Sequence, residues 1–109
     1  MEKICLAIVL LVSSISCNAA GWTSPLTVAR AFTEDSDIIV VYTEEGGQYT
    51  PGCTINAWIF RASTDARRGR AWATILTALG TGQKIMFWFN DTCSAWSFHD
   101  ATSVMLAKP

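Results

Sequence analysis

The sequence predicts a mostly-β domain of the α+β class, five antiparallel strands with one helix between the third and the fourth. Three observations carry this reading. Short runs rich in β-branched and aromatic residues recur between turn-forming clusters, one stretch repeats its apolar residues at helical spacing, and two cysteines bracket the block between them.

Residues 26–33 (LTVARAFT) alternate Leu26, Val28 and Phe32 against Thr27, Ala29 and Ala31, the pattern of a half-buried strand. Glu34 to Asp37 form a polar turn. The second strand is Ile38 to Thr43 (IIVVYT), rich in the branched residues that suit a pleated surface. Glu44 to Thr54 carries Gly46, Gly47, Pro51 and Gly52 and is a loop. Ile55 to Arg61 (INAWIFR) is the third strand and forms a hairpin with the second. Ser63, Thr64 and Asp65 then offer N-caps, and Trp72, Ile75, Leu76 and Leu79 recur at helical spacing before Gly80 and Gly82. The expected helix covers 66–79 with that stripe against the sheet. Gly69 weakens it, and Arg67, Arg68 and Arg70 crowd the end where the helix dipole disfavours cations. The fourth strand is Lys84 to Asn90 (KIMFWFN), leading to Cys93. A loop over 94–100 holds Trp96, Phe98 and His99, and 101–107 is the fifth strand with Thr102, Val104 and Leu106 on one face. This order matches a small OB-like barrel. A curled α+β sheet is the alternative.

The chain has 109 residues, a formal net charge of −1 and 16% charged residues. Binding nucleic acid through bulk positive charge is therefore not expected. Lys3, the unbroken apolar run Ile4 to Val12 and the small, polar stretch Ser13 to Ala20 have the layout of a secretory signal peptide over 1–20, cleaved near Ala19 or Ala20. The run is too short to span a bilayer, so no membrane span is expected. Ser14 stands where acylation of Cys17 would require a leucine-like residue. Export then leaves one domain, 21–109, in a periplasmic or secreted setting.

Cys5 and Cys17 depart with the leader, leaving Cys53 and Cys93. In an oxidising compartment an isolated pair in a small domain becomes a disulfide. A free catalytic thiol or half a metal site is the other reading, and with His99 the lone histidine both lack partners.

The middle strands are apolar on both faces, more than one helix can cover. The surplus requires barrel closure, long loops or a second copy of the chain, so a homo-oligomer is one expectation. No catalytic residues, metal site or cofactor are expected: His99 beside Asp100 has no nucleophile placed by a motif, the turn acids Glu34, Asp35, Asp37, Glu44 and Glu45 lack calcium-loop order, and the glycines lack a phosphate-binding context. Asn90-Asp91-Thr92 is a glycosylation sequon. The tryptophans are more informative. Trp58, Trp72 and Trp88 lie on elements and belong to core or interface, whereas Trp22 and Trp96, with Phe98, are the candidate ligand-binding residues for a glycan or protein. Packing over the disulfide is the competing role for Trp96. Arg67, Arg68 and Arg70 would suit an anionic partner or form a solvated helix end. These residues point to a non-catalytic binding module, with a monomeric accessory or inhibitor protein as the alternative.

The signal peptide, Pro51-Gly52-Cys53 before the third strand, the helix end Ile75-Leu76-Thr77-Ala78-Leu79-Gly80-Thr81-Gly82, and Lys84-Ile85 opening a strand that runs to Cys93 together resemble a family of small exported bacterial proteins of unknown function. The likeness implies a bacterial source and a Cys53–Cys93 bridge. The element order is also similar to that of the B subunits of AB5 toxins, including the subtilase-cytotoxin type, which are OB-fold pentamers that bind host glycans. That likeness is one of topology and size.

Overall fold

A computed structural model describes residues 20–34, 37–46, 49–50, 52–53 and 55–108. The expected leader, apart from Ala20, lies outside the described residues. The chain forms β1 (Gly21–Trp22), β2 (Val28–Thr33), β3 (Ile39–Thr43), β4 (Ala57–Phe60), α1 (Asp65–Thr81), β5 (Ile85–Cys93) and β6 (His99–Leu106). These make a small α+β domain in which one helix packs on a six-stranded sheet of order β1-β5-β6-β4-β3-β2.

Three expectations are corrected. The sheet has six strands rather than five, because β1 is two residues long and leaves no periodicity to read. It is mixed rather than antiparallel: β4 and β6 run parallel, with Trp58, Ile59 and Phe60 opposite His99, Asp100 and Ala101. Chain direction between non-sequential strands is set by the α1 crossover and the β5–β6 return, which alternation cannot encode. Finally, the ladder does not close into a barrel. It curls strongly, so that one continuous segment, residues 21–33, borders both margins. Gly21, Trp22 and Leu26 pair with β5, while Val28 to Thr33 pair with β3.

Residues Ala71, Ile75 and Ala78 of α1 pack on Trp58, Phe60, Phe87, Val41 and their neighbours. The expected stripe is displaced: Leu76 and Leu79 are 43% and 40% exposed. At about 100° per residue Leu76 points well away from Ile75, and the two small alanines let the helix settle on their side. Thr64 caps the start, its Oγ1 accepting from the Arg67 N–H at 3.1 Å, and Gly82 at φ 75° ends the helix, its N–H donating to the Ala78 carbonyl at 2.9 Å.

A register shift between Val28 and Arg30 reverses the alternation in β2. Ala31 therefore packs against the core and Phe32, expected inside, is exposed. In β6, which begins at His99 rather than Ala101, Thr102 is the extra residue at a second shift. Val104 and Leu106 face the same side as Phe87 and Ile85, with Thr102 out of series. On the sheet face away from α1, Val40, Ala57 and Ile59 are buried beneath Phe98, so a folded-over loop covers part of the apolar surplus of the middle strands. Cys53 and Cys93 are joined, their Cα atoms 5.6 Å apart.

Candidate functional site

The disulfide fixes the end of β5, and from it the chain turns at once into β6. The Ser94 N–H donates to the Phe98 carbonyl at 2.8 Å, closing a tight turn over Ala95–Ser97. Trp96 and Ser97 both occupy the left-handed region, at φ 64° and 62°. Such a conformation costs roughly 1–3 kcal/mol for each non-glycine residue and persists only where the surroundings enforce it. Its effect is to stand the Trp96 side chain outward, 64% exposed.

Trp96 begins a continuous aromatic track. Its ring meets Phe98 edge-on at 5.9 Å, Phe98 meets Tyr42 of β3 at 5.8 Å, and Tyr42 stacks on Phe32 of β2 at 6.3 Å. The Arg30 guanidinium lies 4.2 Å from the Tyr42 ring centre. Polar groups border the track: Arg61 holds Asp100 (Nε to Oδ1, 3.5 Å) and donates to the Ser94 hydroxyl at 3.2 Å. Asp100 also accepts from the Asn90 amide at 3.1 Å, so the sequon asparagine is half-buried and already engaged.

Of the three residues selected from sequence, the fold unites Trp96 with Phe98 and places Trp22 elsewhere. Trp22 meets Trp88 edge-on at 5.5 Å across β1 and β5, two strands from the Phe98–Tyr42 contact. Sequence reasoning missed Tyr42, Phe32 and Arg30. Tyr42 was legible as the last aromatic of a two-faced strand, but the register shift concealed that Phe32 shares its face.

His99 and Asp100 are separated by the pleat. The imidazole is buried against Trp58, ring centres 4.5 Å apart, with Nδ1 3.3 Å from the Ala57 carbonyl, while Asp100 turns to Arg61. Among the described residues no three His, Cys, Asp or Glu side chains converge as a metal site would require. Glu45 is tied down: it accepts from the Thr27 N–H at 2.6 Å and the Thr27 hydroxyl at 2.7 Å, with Lys84 at 3.6 Å. Partial burial pushes its carboxyl up, but the Thr27 hydrogen bonds and the Lys84 charge outweigh this and hold it below the usual range. The three arginines diverge. Arg68 pairs with Asp65 at 2.7 Å, whereas Arg67 and Arg70 border a groove beside β6. No helix among the described residues is long and apolar enough to cross a membrane. No family model and no curated protein matches the chain.

Proposed function

We propose that the chain is an exported, non-catalytic binding module whose ligand is a glycan, taken up on exposed Trp96 and Phe32 and half-buried Tyr42, with Phe98 buried beneath them as the support that joins the rings. The observation that carries this reading is Trp96 itself: a large apolar side chain kept in water by a strained backbone, three residues beyond a disulfide. An indole that served only to cover the sulfurs would be buried. Flat aromatic faces stack on the C–H faces of sugar rings, and Arg61, Asp100 and Ser94 offer donors and acceptors for hydroxyls alongside.

We read the curled sheet as an OB-like, partly open barrel. Its β3–β4 face and the loop between β5 and β6 then correspond to the face and loop where such barrels take oligosaccharides and oligonucleotides. A net charge of −1 argues for the former. The disulfide supports export, since such bonds persist in oxidising compartments. A glycan array, followed by calorimetry on the best binder, tests the proposal with wild type and Trp96→Ala. The expected result is at least a tenfold loss of affinity in the variant with its circular dichroism unchanged. Failure of the folded protein to bind any glycan, or undiminished binding by the variant, refutes the reading.

A further inference from the structure

We propose that the groove between α1 and β6 is a second binding site, on the opposite side of the sheet from Trp96, for a small anion carrying a carboxylate or phosphate group. The groove has a volume of about 310 Å³, at the small end for ligand sites, and suits a molecule of single-sugar size. Its floor is apolar, from Phe60, Ala71 and Val104, and its walls are polar, from Arg67, Arg70, Thr74 and Ser103. No acid lines it.

The two arginines carry the argument. Arg67 is already oriented: one nitrogen of its guanidinium donates to the Thr102 carbonyl at 3.0 Å and to the Ser103 hydroxyl at 3.1 Å. A guanidinium has five N–H donors in a rigid fork, so several remain for a ligand. Arg70, one turn on along the same helix flank, has no side-chain hydrogen bond or ion pair among the described residues and is exposed. The contrast with Arg68 is informative, because Asp65 neutralises it. Two like charges three residues apart repel, and both sit near the end of α1 where the dipole is already positive. No carboxylate among the described residues on this flank compensates them, although the chain as a whole is slightly acidic. A local rule broken without compensation marks a site shaped for something else. A bound anion offsets both charges at once, and the apolar floor accepts the body that carries it.

The test is an amide-resolved NMR titration of the disulfide-bonded protein at low salt with D-glucuronate, glucose 6-phosphate and glucose. Arg70→Gln and Arg68→Gln are the variants, since neither Arg70 nor Arg68 is tied to the sheet by a hydrogen bond as Arg67 is. The expected result is saturable shifts at residues 67–74 and 103–104 with one or both anions and none with glucose. Arg70→Gln should weaken this binding at least tenfold, Arg68→Gln less than twofold, and Trp96→Ala not at all. A response to glucuronate alone identifies carboxylate as the recognised group, and one to glucose 6-phosphate alone identifies phosphate. The absence of saturable shifts with either anion, an equal response to glucose, or shifts that persist undiminished in Arg70→Gln overturns the proposal.

Discussion

Replacing both Cys53 and Cys93 with alanine should cost this domain about 4 kcal/mol. The bridge links residues 40 apart in sequence. By the chain-entropy relation, closing a loop of that length removes about 13 cal/mol/K from the unfolded ensemble, or about 4 kcal/mol at room temperature. A domain this small shifts its melting midpoint by roughly 4–8 °C per kcal/mol, so the double variant should melt on the order of 15–30 °C lower. Scanning calorimetry measures this, and urea unfolding adds a second signature. Freed of its cross-link, the denatured chain expands, and the denaturant slope should rise along with the fall in midpoint. A drop of less than about 4 °C, with an unchanged slope, would show that the tie restrains little beyond what the sheet already fixes. Loop entropy would then not be what the bridge contributes to this protein.

Two further outcomes test the packing and the charges. Ile75→Ala should cost about 2–5 kcal/mol because Ile75 is fully buried, whereas Leu76→Ala should cost well under 1 kcal/mol; comparable losses in chemical denaturation would place the helix in a different rotation. Glu45, whose carboxyl titrates below its ordinary value of 4.5 in the folded state, adds stability that is complete above that pH and lost as pH falls through the folded-state value. Glu45→Gln should therefore lower stability at neutral pH and flatten the acid limb of a melting profile. An acid limb as steep as that of wild type would assign the dependence to another group.

What sequence could reveal followed the range of the interactions involved. The helix was legible because Thr64, Ile75 and Gly82 act within one or two turns, and the β3–β4 hairpin because Val40 and Ile59 sit in runs bounded by turn residues. The disulfide was legible from the two cysteines left once the expected leader is set aside. What stayed hidden was non-local. The parallel β4–β6 pairing depends on where the crossover delivers the chain, and the shifts at residues 28–30 and 102 exchange the faces of Phe32 and Thr102 without leaving any mark on composition. The exposed Trp96 was found from its place after Cys93. The rest of its track was not, because Phe32 reaches the face of Tyr42 only through the register shift in β2, and Tyr42 meets Phe98 only where the loop folds back over the sheet.

The parallel contact at the centre of the sheet also bears on how the molecule is made. Residues 58–60 can pair early with residues 39–41, but they cannot gain their second neighbours until residues 99–101 have been synthesised and brought round by the helix and β5. Until then the most apolar strand of the domain has one flank bare. Such distant pairings are slow to form and invite association between incomplete chains. A nascent copy of this protein is thus most vulnerable at Trp58, Ile59 and Phe60, three of the best-protected side chains once folding is complete.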